Sequence, residues 1–115
     1  MLNIERYDKQ PEPRITEIQP DWRAWAEKSG YTQTSSILVE QDSMHVLLEI
    51  LENPAEKDPY LLYVPPIPKT TGGETLYIIS DQEQLTFMMD AAQKMVRVAM
   101  LMAQEKLRRH KAHLN

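Results

Sequence analysis

An α+β fold is what the chain predicts, on two observations. The middle, residues 32–79, carries four short β-rich runs separated by turn and proline signals. The last third, from Ser80 onward, changes to a helical period and holds five of the seven methionines. At 115 residues the chain is one domain by length. The expected architecture is a four-stranded, mainly antiparallel sheet, a short N-terminal helix, and one long C-terminal helix packed on one face.

Residues 1–14 read as an extended arm, because they show no periodicity and Pro11 and Pro13 bracket Glu12. Residues 15–115 form the domain proper, and Arg14 to Ile18 suits a short edge strand. Asp21 to Ser29 is a short helix: Pro20 precedes it, Asp21 suits the N-cap, and Gly30 suits the left-handed residue that ends it. Trp22, Trp25 and Ala26 share one side of that helix, so the two tryptophans are its docking surface. A helix this short is not stable alone and must dock.

Thr32 to Glu40 and Met44 to Glu52 form a hairpin around Gln41-Asp42-Ser43. In the second strand Met44, Val46, Leu48 and Ile50 make one wholly apolar face, which should meet the core. His45, Leu47, Glu49 and Leu51 make a mixed face, which should be half-exposed. Tyr60 to Val64 is the third strand, stopped by Pro65-Pro66-Ile67-Pro68, since proline cannot donate to a ladder. Thr75 to Ile79 is the fourth. Residues 65–74 join them as a connection that ends in Gly72-Gly73.

The long helix, about 81–112, starts at Ser80-Asp81-Gln82-Glu83, a capping-box sequence with Ser80 as N-cap. Leu85, Met88, Ala92, Met95, Ala99 and Met102 follow as a heptad seam. Met89, Val96, Met100, Ala103 and Leu107 make a second apolar row beside it. Asp90–Lys94 and Glu105–Arg109 are i, i+4 pairs in the favourable orientation. About 30 helical residues span ~45 Å, so one sheet face cannot cover two apolar rows. A second copy is the economical cover, because closed two-fold dimers are the commonest oligomers. The expected dimer or partner interface is Leu85, Met88, Met89, Ala92, Met95, Val96, Ala99 and Met102.

Composition narrows the chemistry. With no cysteine, disulfides, thiolate metal sites and cysteine nucleophiles are excluded. No serine-hydrolase elbow is present. His110 and His113 have i, i+3 spacing, but Arg109 and Lys111 interleave with charge that opposes a cation, so no metal, cofactor or catalytic residue is assigned. Residues 1–10 lack an apolar signal core, and the longest apolar run, Val98 to Ala103, is far short of the ~20 residues a span requires. A cytoplasmic protein with no membrane segment is expected.

The charge is uneven. Residues 1–80 carry 7 basic against 13 acidic residues, while residues 81–115 carry 6 against 4. The basic tip (Lys106, Arg108, Arg109, Lys111) complements the helix dipole and could also meet an acidic partner. The leading expectation is a small non-enzymatic interaction or regulatory protein, acting as a homodimer through its methionine-rich helix and binding a protein partner. One alternative is nucleic-acid binding through the basic tip with Tyr60, Tyr63 and Tyr77 as stacking residues. The acidic sheet disfavours it: residues 37–64 hold six acids against one lysine. The other is a small-ligand binder or enzyme with a pocket under the 65–74 connection.

Overall fold

A computed structural model describes residues 2–7, 14–18, 21–68, 70 and 73–113, with side chains for 21–68, 70 and 73–109. The elements run β1 (Leu2–Tyr7), β2 (Arg14–Ile18), α1 (Trp22–Ser29), β3 (Thr32–Gln41), β4 (Met44–Glu52), β5 (Tyr60–Val64), β6 (Thr75–Ile79) and α2 (Gln82–His113). β3 to β6 form the expected four-stranded antiparallel sheet. β1 and β2 extend it to six strands in the order β2-β1-β6-β5-β4-β3. β1 lies parallel to β6, and β2 lies antiparallel to β1 at one edge. The stretch read as an arm therefore supplies a strand. Its partner lies some seventy residues on, Asn3 against Thr75, a non-local pairing that no local pattern reveals.

One helix covers each face of the sheet. Alternation along the strands sorts the apolar residues into two buried clusters. On one face Val39, Val46, Leu48, Ile50, Leu62, Val64, Tyr77 and Ile79 pack under α2. On the other Leu51, Leu61, Tyr63, Leu76 and Ile78 pack with Tyr31 under Trp22 and Ala26 of α1. The apolar face foreseen for β4 is the one beneath α2, with Met44 partly buried at its end. The mixed face is split: Leu51 is buried, while His45 and Leu47 are exposed.

α1 is fixed at both ends. The Asp21 carboxylate accepts from the Ala24 N–H at 3.3 Å. At the other end the Gly30 N–H donates to Glu27 O at 3.0 Å and the Tyr31 N–H to Ala26 O at 2.9 Å. Gly30 has φ of 100°, where a side chain would be strained, and a Cβ there would lie 2.9 Å from Asn53 Nδ2. Asn53 is buried, donates to Ser29 O at 2.8 Å and accepts from the Ala55 N–H at 3.1 Å. This one amide locks the end of α1 to the loop after β4. Trp22 stacks on Tyr63 with ring centroids 4.6 Å apart. Trp25 is instead 43% exposed and only tilts against Tyr31. Of the two tryptophans expected to dock the helix, Trp22 does so with Ala26; Trp25 sits at the rim.

The cap of α2 is displaced by one residue from the Ser80–Glu83 box. The Asp81 carboxylate accepts from the Gln84 N–H at 2.8 Å, and Asp81 O accepts the first helical bond from Leu85 at 3.0 Å. Gln84 reaches back and accepts from the Ser80 hydroxyl at 2.6 Å. The shift follows from burial: Gln84 turns inward to the cap, whereas Glu83 faces solvent. The foreseen Asp90–Lys94 and Glu105–Arg109 pairs form at 2.9 and 3.3 Å.

Candidate interaction surfaces

The inner face of α2 is Leu85, Met88, Ala92, Val96, Met100 and Ala103, all buried, with Met89 partly buried against the same cluster. This set takes the start of the heptad seam and then crosses to the second row. A straight helix turns ~100° per residue, so a strict heptad drifts about 20° per repeat. The seam begins over the sheet at Leu85 and leaves it by Met95. The second row drifts in to replace it.

The expected interface divides accordingly. Leu85, Met88, Ala92 and Val96 belong to the subunit's own core and drop out of the interface set. Met89 and Ala99 sit at its margin. Met95 and Met102 are exposed, at 50% and 67%. Val98, Leu101 and Phe87, which neither row contains, are also exposed. Helical spacing gathers Phe87, Ala91, Met95, Val98 and Met102 into one outer stripe, about a third of a turn from the buried face. The sequence contained the signal, in Phe87 and Val98 at i, i+11, but the heptad frame obscured it.

The stripe ends in charge. Lys106, Arg108 and Arg109 are exposed, and the two arginines share Glu105 at 3.7 and 3.3 Å. Lys111, His110 and His113 lie outside the described side chains. An open groove of about 880 Å³ runs beside the last turns, lined by Ala99, Met102, Lys106 and Arg109 of α2, Asp42 of the hairpin turn and Thr70. Thr70 belongs to the 65–74 connection, whose residues 69, 71 and 72 lie outside the described set.

The three tyrosines do not share a surface. Tyr77 is buried beneath α2, and Tyr60 packs against the edge of that same cluster. Tyr63 is buried on the opposite face, under α1. A single stacking platform would need all three on one open face.

A polar cluster closes the α1 side. Arg23 donates from both guanidinium arms to the Glu49 carboxylate, one of them at 3.1 Å. Its charge lies 4.6 Å from the Trp22 ring centre and 5.1 Å from that of Tyr63. The hydrogen bond to Glu49 raises the arginine's pKa further above its ordinary value. The Tyr63 hydroxyl donates to Glu74. Burial first, and then that bond, push the phenol from 10.0 to about 12. Arg23 answers Glu49, the Tyr63 hydroxyl answers Glu74, and the arrangement braces α1 on the sheet.

Among the described residues no helix is long and apolar enough to cross a membrane. No protein-family model, curated protein or solved structure matches the chain.

Proposed function

We propose that the chain is a non-enzymatic interaction protein that works as a homodimer, two copies pairing through the outer stripe of α2. The carrying observation is the row of large apolar side chains left exposed on a helix whose inner face is already filled. Contiguous exposed apolar surface marks an interaction site.

Charge supports a second copy as the occupant, and antiparallel pairing as its geometry. The helix begins with Asp81 and Glu83 and ends with Lys106, Arg108 and Arg109. An antiparallel pair sets each acidic start beside the other copy's basic end and opposes the two macrodipoles. With the two-fold near Met95, Phe87 of one copy faces Met102 of the other, and Ala91 faces Val98. Burying each large apolar side chain contributes about 1.5–3 kcal/mol.

Sedimentation equilibrium on wild type and Met95→Glu tests the reading. The wild type is expected as a dimer and the variant as a folded monomer, since Met95 makes no part of the buried core. A variant that remains dimeric contradicts it.

One observation favours a second reading. The groove at the end of α2 joins apolar walls to a rim where Lys106, Arg108 and Arg109 outnumber Asp42 and Glu105, a combination suited to an anionic amphiphile. A thermal shift with a medium-chain fatty acid, lost in Lys106→Glu/Arg109→Glu, would establish it. The absence of any shift would dismiss it.

A further inference from the structure

The hairpin of β3 and β4 overreaches the rest of the sheet. β5 pairs with β4 only at Glu49 to Glu52, and Pro65 and Pro66 follow β5 directly. β3 and β4, by contrast, stay in register out to Gln41–Met44. Residues 37–48 thus form a projecting two-stranded ribbon. One side of it is covered: Val39, Val46 and Leu48 are buried under α2, and Gln104 Nε2 donates to Gln41 O at 3.0 Å. Among the described residues the other side is uncovered, because α1 sits over Leu51, Leu61 and Leu76 instead. There Leu38 and Leu47, cross-strand partners in the register, are 52% and 46% exposed.

β3 is also a sheet edge. An edge strand presents a row of backbone N–H and C=O groups with no strand to receive them. Proteins ordinarily guard such edges with short strands, lysine, proline or bulges. β2, the opposite edge, is five residues long, two of them charged, and in the sequence Pro11 and Pro13 precede it and Pro20 follows. β3 is ten residues long and contains no proline, no lysine and one charge, Glu40. Its single irregularity, between Gln33 and Ser35, lies at the far end. Ser35 to Gln41 is therefore a regular, unguarded seven-residue edge beside an open leucine pair.

We propose that β3 receives an extended segment of a protein partner, added to the sheet as a further strand. Main-chain hydrogen bonds would supply affinity, and alternate side chains would supply specificity. Charge defines the segment. Residues 29–56 contain no Lys or Arg, whereas Glu40, Asp42, Glu49 and Glu52 all belong to the hairpin. A second β3 would bring a second set of acids and no base. A strand alternating apolar residues with Lys or Arg fits: its cations share the face of Leu38, Leu47 and Glu40, their stems along the leucines and their charges at Glu40, while its apolar side chains continue the face of Ile37 and Val39 beside α2. This surface is independent of the α2 stripe.

The probe is a fluorescein-labelled octapeptide of alternating valine and lysine, with an alternating valine–glutamate octapeptide as its counterpart. Fluorescence anisotropy is expected to show binding of the first and not the second. Leu38→Lys should weaken binding about tenfold or more. Met95→Glu, which alters the α2 stripe away from the hairpin, should leave it unchanged, so failure of the dimer reading remains separate. Hydrogen exchange should slow at alternate amides of Ser35 to Gln41. Any of four results overturns the proposal: no binding of the valine–lysine peptide, equal binding of both peptides, indifference to Leu38→Lys, or self-association of the protein through β3.

Discussion

The two helices differ in how their length matches the surface beneath them. α1 has eight residues, and its apolar side is spent on Trp22 and Ala26, both buried. α2 has 32 residues and more apolar side chains than the sheet can cover. α1 is held by specific devices at each end: a cap, a left-handed glycine, a buried asparagine and a stacked ring. α2 is held by area. The lesson is that a short helix is fixed by a few anchoring residues and its two ends, whereas a long one can carry a second face that its own subunit leaves uncovered.

Removing the anchor of α1 should give the largest effect. Trp22→Ala empties the stack on Tyr63 and should lose about 3–5 kcal/mol in urea denaturation. The inner face of α2 comes next: Met100→Ala, at a fully buried site, should lose about 2–5 kcal/mol. The contrast is Val98→Ala on the outer stripe. In the monomeric Met95→Glu background it should change stability by less than about 0.5 kcal/mol. A loss as large as that of Met100→Ala would mean that the stripe is core after all.

Gly30→Ala tests the α1 terminus. It forces a side chain into positive φ and against Asn53, and should lose about 1–2 kcal/mol. Smaller still is a pH effect. The folded state holds Tyr63 protonated up to about 12, while the unfolded chain ionises near 10.0. Stability from this group is therefore full below pH 10 and lost as pH rises towards 12. Tyr63→Phe should flatten that part of the profile in denaturation curves taken across it. An unchanged slope would remove Tyr63 as its source.

The four antiparallel strands, both helices and the buried face of β4 were legible because each writes its own local period. The pairing of β1 with β6 was not, since Leu2 to Tyr7 alternates weakly and its partner is remote in sequence. The Ser80 box looked right by pattern, yet Asp81 and Gln84 take the cap because Gln84 faces inward. The Arg23–Glu49 and Tyr63–Glu74 pairs join residues 26 and 11 apart across elements. Only the isolated Glu49 between Leu47 and Leu51 hinted that a cation would cover that face. Of the eight residues expected at an interface, Leu85, Met88, Ala92 and Val96 lie in the subunit's own core. A heptad frame laid on a straight helix joined Leu85, which turns inward, to Met102, which turns out.

Cysteine pairing offers the most direct test of an antiparallel α2 dimer, because the chain has no cysteine to interfere. A disulfide requires Cα atoms within roughly 7 Å. In the proposed dimer the two copies of residue 87 lie about 22 Å apart along the helix axis, while residue 87 of one copy faces residue 102 of the other. Under mild oxidation, Phe87→Cys alone should stay uncross-linked, and an equal mixture of Phe87→Cys and Met102→Cys should give the mixed dimer. Cross-linking of Phe87→Cys with itself, or none in the mixture, would contradict the account.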